Sequence, residues 1–246
     1  MSPLAQALIA TLLISLISFV GVVFAFSRRW TEHSEMLLLS FAAGVLLSTV
    51  FLELFPEAIE RAGGNRHIFS AALAAMIVFF FLERFLHGFH VHEESRAVAS
   101  RYMILIGDAV HNFVDGVVIA ASFLASPAIG LATTLAVIAH EIPQEIADYG
   151  ILVRGKLSPR NALLLNFASG LTAVLGTLAC FSFRSLVEPN ISWFLTATAG
   201  MFIYVAASDL IPELHKPEHR GRWVYTWPFV LGIALMTSLT VWIGDH

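Results

Sequence analysis

Between Tyr102 and Val153 the chain carries five acidic residues and neither Lys nor Arg. The acids are Asp108, Asp115, Glu141, Glu145 and Asp148. The rest of this stretch is strongly apolar and predicts two membrane-spanning helices, over 102–125 and 128–153. A charged side chain inside a bilayer costs about 3 kcal/mol even on lenient insertion scales. Acids without basic partners need another cation, and a divalent metal ion crossing the membrane is the best candidate.

Further polar residues accompany these acids at helical spacing. The helix over 102–125 places four of them on one face, at spacings of three, four and seven residues: Asp108, His111, Asn112 and Asp115. The helix over 128–153 carries a wider polar arc: His140, Glu141, Gln144, Glu145 and Asp148. The short link Ser126-Pro127 makes the two helices antiparallel neighbours. Both clusters are therefore expected to meet near the middle of the membrane.

Pro143 stands within the second cluster. A proline in a helix removes one backbone donor, which here frees the carbonyl of Ala139 and kinks the helix. Irregular backbone is tolerated at membrane depth where it packs on protein or lines a cavity. Beside so many polar side chains, we expect Pro143 to border a cavity.

The composition predicts an all-α membrane protein. The chain is 57% hydrophobic and 13% charged, with a mean hydropathy of +0.78, whereas soluble domains are about 25% charged. Runs long enough to span a bilayer (~20 residues) predict eight transmembrane helices: 4–26, 36–56, 67–86, 102–125, 128–153, 160–183, 191–213 and 223–243. They leave no room for a soluble domain, so 1–246 is expected to form a single transmembrane domain. We expect the first run to be a retained helix rather than a cleaved signal peptide. The lone Cys180 excludes an intramolecular disulfide and a cysteine-built zinc site.

An internal repeat organises these helices. Ala43-Gly44 and the later Glu-Leu-Phe-Pro-Glu at 53–57 recur 156 residues on, as Ala199-Gly200 and Asp-Leu-Ile-Pro-Glu at 209–213. The same offset relates the helices of a first repeat, 4–87, to those of a second, 160–243, with the pair over 102–153 between them. Each helix of the first copy matches the helix five places later in the chain, an odd offset, so the two copies cross the membrane in opposite directions. A 3+2+3 plan with an inverted repeat is typical of secondary transporters.

The basic residues predict the orientation. With both termini outside the cytoplasm, eleven of the 14 Lys and Arg residues lie in cytoplasmic loops and three outside, which is a positive-inside bias. The cytoplasmic set is Arg28, Arg29, Arg84, Arg96, Arg101, Arg154, Lys156, Arg160, Lys216, Arg220 and Arg222, and the outer set is Arg61, Arg66 and Arg184. We expect an integral protein of the bacterial cytoplasmic (inner) membrane.

Two motifs carry a family resemblance. The runs His-Asn-x-x-Asp-Gly from His111 and His-Glu-x-Pro-x-Glu from His140 resemble the signature of the ZIP (Zrt/Irt-like) metal transporters, as does the eight-helix plan. The resemblance implies a homodimer that moves zinc or similar divalent ions, including cadmium, iron or manganese, into the cytoplasm. It also implies that the first, fourth, fifth and sixth helices move against the other four, as in an elevator. It implies no enzymatic activity, no cofactor and no nucleic-acid partner.

The resemblance also implies a ligand set. The primary metal site would use His111, Asp115, His140, Glu141 and Gln144, and Asn112 would line a second position that shares Asp115 and Glu141. Many members have His where Gln144 stands, and an amide oxygen is a weaker zinc ligand than imidazole. Some members supply a carboxylate from the sixth helix, which here offers only Asn166, Ser169 and Thr172. Glu145 is the candidate for a residue that supports the ligands without binding the ion itself. Asp108 and Asp148 are candidates for an exit path.

Other readings remain open. His87, His90 and His92 either bind metal after exit or form a solvated loop. Gly44 and Gly200 fit close helix packing.

His140-Glu141 also resembles the start of the His-Glu-x-x-His motif of zinc hydrolases, although Gln144 takes the place of the second His. An intramembrane zinc hydrolase and an exporter of the cation-diffusion type are therefore the alternatives.

Overall fold

The computed structural model describes residues 1–25, 32–88, 96–154, 157–216 and 223–244. Within these ranges the chain is helical and contains no β-strand. The α-helices are α1 (Pro3–Ala25), α2 (Glu32–Thr49), α3 (Phe55–Arg61), α4 (Phe69–Gly88), α5 (Arg96–Ala125), α6 (Pro127–Arg154), α7 (Pro159–Gly170), α8 (Thr172–Ser182), α9 (Arg184–Val187), α10 (Ile191–Val205), α11 (Ile211–Leu214) and α12 (Thr226–Gly244). The all-helical class predicted from composition is confirmed.

Six helical stretches of the described part are long and apolar enough to span a membrane. They are His33–Arg61, Arg66–Phe85, Leu105–Ala125, Pro159–Ser182, Arg184–Leu214 and Trp223–Val241. The first predicted span is also helical, with Pro3–Ile17 as its shorter apolar part. The fifth predicted span forms α6, whose mean hydropathy is lowered by its polar residues. The eight-span arrangement stays a prediction.

The predicted helix bounds differ from the structure in several places. The helix predicted over 102–125 begins earlier, at Arg96 of α5, and a proline explains the different end of the helix predicted over 36–56. The span predicted over 36–56 continues to Arg61, because a π-helical segment, Val50–Leu54, joins α2 to α3 just before Pro56. The wider turn lets the chain accept a residue that lacks an N–H group without ending the helix. A second π-helical segment, Ala206–Leu210, joins α10 to α11 before Pro212.

The helix predicted over 160–183 is divided into α7 and α8 at Leu171. Two side-chain hydroxyls donate hydrogen bonds to backbone carbonyls at this break. Ser15 of α1 donates to the carbonyl oxygen of Gly170 at 2.8 Å, and Thr172 donates to the carbonyl of Ala109 in α5 at 2.6 Å. The break therefore attaches α7 and α8 to two neighbouring helices.

The helices pack in two groups. One group contains α1, α5, α6, α7 and α8, and the other contains α2, α3, α4, α10 and α12. The groups meet mainly where α2 packs on α6 and where α10 packs on α5. Within the first group, α5 and α8 cross closely, since a Cβ at Gly116 would lie 1.9 Å from the Ala173 carbonyl oxygen. A β-carbon cannot fit there, as expected for small residues at membrane helix contacts.

The proposed repeat has structural counterparts. The two π-helical segments are related by the same 156-residue offset as the sequence motifs. Gly44 of α2 meets the carbonyl of Phe229 in α12, and Gly200 of α10 meets the carbonyl of Ala72 in α4. Each copy therefore packs its glycine-containing helix against the last helix of the other copy. Close packing at both glycines agrees with the sequence interpretation.

Candidate metal centre

The centre is built on α5 and α6, which are joined through Ser126 and pack along each other. Thr133 of α6 donates a 3.0 Å hydrogen bond to Ser122 of α5 near this link. The apolar residues of both helices, such as Ile119 and Val137, are fully buried in the main core. The packing fixes the helices on each other and leaves the polar residues of both to face one another further along.

Four side chains converge at one point of this interface. His111, Asp115, His140 and Glu141 each offer one ligand atom, and these atoms all lie within 4.8 Å of one another. His111 Nε2 is 3.3 Å from His140 Nε2 and 3.3 Å from Glu141 Oε1. Asp115 Oδ2 is 3.3 Å from His140 Nε2 and 3.7 Å from His111 Nε2. Ligand atoms about 2.0–2.1 Å from a tetrahedral zinc ion lie roughly 3.3 Å apart, so the spacing suits such an ion.

The two carboxylates lack hydrogen-bond donors. Asp115 and Glu141 are 0% exposed, and none of their carboxylate oxygens has a hydrogen-bond partner among the described residues. A buried carboxylate without a donor or a counter-charge is strongly unfavourable. The nearest polar groups are the two imidazoles, which are neutral ligands when a metal is bound. The donor set therefore fits a cation placed between the four side chains.

A backbone carbonyl fixes the orientation of the His140 ring. Its Nδ1 lies 3.0 Å from the carbonyl oxygen of Ala136, one turn earlier in α6. A proton on Nδ1 donates to that carbonyl and leaves the lone pair of Nε2 to face the cluster, as in many histidine–metal sites. The ring also packs against Phe202 of α10, with centroids 6.1 Å apart. The i−4 spacing of Ala136 could have signalled the first contact, but no sequence pattern signals Phe202.

Asn112 and Gln144, the predicted amide ligands, lie next to this cluster and contact Asp108. Asn112 Nδ2 donates to Asp108 Oδ1 at 2.9 Å, and Gln144 Nε2 lies 3.4 Å from the same oxygen. Asn112 is fully buried and Asp108 is 4% exposed. The NH₂ groups of both amides therefore face Asp108. The structure brings all six predicted ligands to one region.

The remaining candidates lie outside the four-residue cluster. Buried Glu145 accepts a short hydrogen bond from Asn166 Nδ2 of α7. Ser169 donates to the carbonyl of Asn166 at 2.8 Å. Asp148 is half-buried on α6. His90 and His92 lie outside the described residues, as does the side chain of His87.

Comparisons with known proteins identify the family. The ZIP Zinc transporter family model matches residues 2–101 and 90–240, which is most of the chain. The chain therefore belongs to the ZIP zinc transporter family, and it is an integral membrane protein. This membership confirms the family resemblance seen in the motifs and disfavours the hydrolase alternative.

Named relatives agree with the family match. Zinc transporter ZIP13 of Mus musculus is 33% identical over 256 residues, covering 84% of this chain and 70% of the relative. ZIP13 of Pongo abelii is 36% identical over 200 residues, covering 75% of this chain and 60% of the relative. Zinc transporter ZIP4 of Homo sapiens is 44% identical over 123 residues, covering 50% of this chain. The chain spans 19% of that ZIP4, so the human relative is much longer than the matched region.

Proposed function

We propose that this protein is a secondary transporter that carries divalent metal ions, zinc foremost, across a membrane into the cytoplasm. Cadmium, iron and manganese are further candidate substrates. The observation that carries the proposal is the pair of buried carboxylates, Asp115 and Glu141, that have no hydrogen-bond donor among the described residues and face two imidazoles. The relatives named above are zinc transporters, and their names support the same substrate.

The proposed metal site consists of His111, Asp115, His140 and Glu141, with oxygens of Asn112 and Gln144 as additional ligands. The close spacing of the first four ligand atoms supports their role. Imidazole nitrogens suit zinc-like ions, whereas carboxylate and amide oxygens also suit manganese and iron. A mixed site of this kind favours zinc and still admits harder divalent ions.

The proposed architecture has eight transmembrane helices in a 3+2+3 order with an inverted repeat. The paired π-helical segments and the reciprocal glycine contacts support the repeat. The excess of Lys and Arg in alternate loops supports both termini outside the cytoplasm. We further propose that two copies form a homodimer and that the membrane is a bacterial cytoplasmic one.

The proposed transport mechanism moves one helix group against the other. The group of α1, α5, α6, α7 and α8 holds every metal ligand, while α10 contributes Phe202 from the opposite group. A site carried by one group and covered by the other suits an elevator-like alternating-access movement. Chemistry is then limited to binding and release of the ion.

A difference in exposure between the two repeat copies supports a conformation that is open at the end near Asp209. Glu53 in the first π-helical segment is 8% exposed and accepts a hydrogen bond from Thr240 of α12. Asp209, its counterpart, is exposed and pairs with neighbouring Ser208. Asp209 lies seven residues, or about 10 Å along a helix, beyond Phe202, which touches His140. With the orientation proposed above, the end near Asp209 opens to the cytoplasm.

Reconstituted protein provides the test. Liposomes containing the full chain and a fluorescent zinc indicator should fill with zinc, and His111→Ala or Asp115→Ala should abolish this uptake while the protein still inserts. Glu53→Gln is the matched control, because its amide oxygen still accepts from Thr240 and uptake should stay within about twofold. Wild-type uptake by His111→Ala or Asp115→Ala would refute the assigned site, and absence of uptake by the wild type would refute the proposed function.

A further inference from the structure

Asp108 is a buried carboxylate that receives two amide groups from two helices. Its Oδ1 accepts from Asn112 Nδ2 at 2.9 Å within α5 and lies 3.4 Å from Gln144 Nε2 of α6. The backbone carbonyl of Asp108 also accepts from Asn112 Nδ2, at 3.1 Å. A carboxylate has only acceptors, so it can face the NH₂ end of an amide and not its oxygen end.

The orientation of these amides decides whether they can bind a cation. The oxygen of an amide is a metal ligand, whereas its NH₂ group cannot be one. Asn112 Oδ1 is buried and has no hydrogen-bond donor among the described residues, which leaves it available. We propose that Asp108 is a positioning residue that turns the amides of Asn112 and Gln144 so that their oxygens are offered to the transported ion. This inference rests on the proposed metal transport.

Asp108 also keeps the NH₂ groups away from the metal-binding carboxylates. Asp115 and Glu141 lack donors, so either carboxylate would accept a hydrogen bond from a freed NH₂ group that reaches it. Such a bond would occupy a ligand and direct nitrogen instead of oxygen toward the ion. Loss of Asp108 therefore removes amide oxygens from the site. The affinity for ions that prefer oxygen ligands should fall more than the affinity for ions that prefer nitrogen or sulfur.

The measurement is the dissociation constant of Mn²⁺ and of Cd²⁺ for the purified full chain, determined by competition with a fluorescent chelator. Asp108→Asn should weaken Mn²⁺ binding by about threefold to tenfold, the effect of one hydrogen bond, and Cd²⁺ binding by less than about twofold. Glu53→Gln is the control because it removes the charge of a buried acid that lies outside the centre and accepts from Thr240, and both constants should stay unchanged. Equal weakening of both ions by Asp108→Asn, or no weakening of either, would overturn the inference.

A double variant that keeps the total charge distinguishes a loss of amide orientation from damage to the fold. In the double variant Asp108→Asn with Asn112→Asp, the carboxylate at 112 has an oxygen at either end and needs no orientation. The preference for Mn²⁺ over Cd²⁺ should return at least to the wild-type ratio, and failure to return would contradict the positioning role. If the wild type binds neither ion, the proposed function fails together with this inference. If it binds both and Asp108→Asn keeps the wild-type ratio, only the inference fails.

Discussion

The carboxylates of the candidate metal centre and the carboxylate of Glu53 are all buried among helices but have different partners. Glu53 is 8% exposed and accepts a 2.5 Å hydrogen bond from Thr240. Asp115 and Glu141 are 0% exposed and have no donor among the described residues. The difference shows that burial of an acid alone does not indicate a metal site. A buried acid whose oxygens are satisfied by the protein stabilises the fold, and one whose oxygens are left without donors is suited to an exchangeable cation.

The largest expected effect is on the pH dependence of metal binding. A metal ion and a proton compete for His111 and His140, and the proton wins as the pH falls. Each proton that zinc must displace weakens its binding by up to about tenfold for every pH unit that the pH falls, so zinc binding should weaken steeply between pH 7 and pH 5. Calorimetry in buffers of different ionisation enthalpy should show protons released on binding. A flat affinity with no proton release would show that the centre is not built as described.

The second prediction compares stability with and without metal. Because Asp115 lacks donors, Asp115→Asn should raise the melting temperature of the metal-free protein, by the equivalent of about 1–3 kcal/mol. Zinc should raise the melting temperature of the wild type, by about 2.7 kcal/mol at 100 times its dissociation constant, and should affect the variant little. The measurement is thermal unfolding in detergent, with and without a chelator.

Thr240→Val is the contrasting variant. It removes the donor of Glu53, so it should lower the melting temperature to the same extent with and without zinc, by about 1–2 kcal/mol. If metal-free Asp115→Asn were as destabilised as Thr240→Val, the distinction between the two kinds of buried acid would be lost.

The sequence predicted which polar side chains converge better than it predicted their surroundings. Spacings of three and four residues placed His111 with Asp115, and the two-residue link to the next helix brought them to His140 and Glu141. Those relations are local, so periodicity is sufficient. The Thr240 partner of Glu53 is 187 residues away, and no local pattern contains such a contact.

Helix ends and amide orientations show the same limit. The continuation of α2 through Pro56 depends on a π-helical turn, which tertiary packing selects and propensity does not. The predicted roles of Asn112 and Gln144 followed from the family resemblance. Asn112 contacts Asp108 within α5, whereas the contact of Gln144 with Asp108 depends on how α5 and α6 cross. The break at Leu171 likewise depends on hydroxyls from outside α7 as well as on its own sequence.

The third prediction concerns selectivity and has an expected effect of several-fold. Gln144→His replaces an amide by an imidazole and should tighten Zn²⁺ and Cd²⁺ binding, because imidazole is the better ligand for both. His140→Glu should shift the preference toward Mn²⁺ or Fe²⁺. Relative fluxes of the four ions into liposomes are the measurement. Unchanged ratios in both variants would place these side chains away from the path of the ion.

The smallest expected effect concerns a contact between the two helix groups. Arg61 of α3 donates to the carbonyl oxygen of Ala125 at the end of α5, at 2.6 Å, and pairs with Glu57 at 2.5 Å. An arginine near a helix C-terminus is favourable because the carbonyls there carry partial negative charge. If one group moves against the other during transport, this contact must break, and it stabilises the conformation described here by less than about 1 kcal/mol, since it is exposed.

Arg61→Ala should therefore reduce the ratio of this conformation to the alternative one by up to about fivefold. Replacing the lone cysteine by Cys180→Ala and introducing Asp209→Cys provides the probe, because position 209 is exposed in this conformation. The rate at which a water-soluble thiol reagent modifies this cysteine should fall in Arg61→Ala. Arg184→Ala is the matched control, since Arg184 forms the same i,i+4 ion pair with Glu188 at 3.1 Å but belongs to α9, outside both groups. An equal change in both variants would show that Arg61 acts through general surface charge and not through its contact with α5.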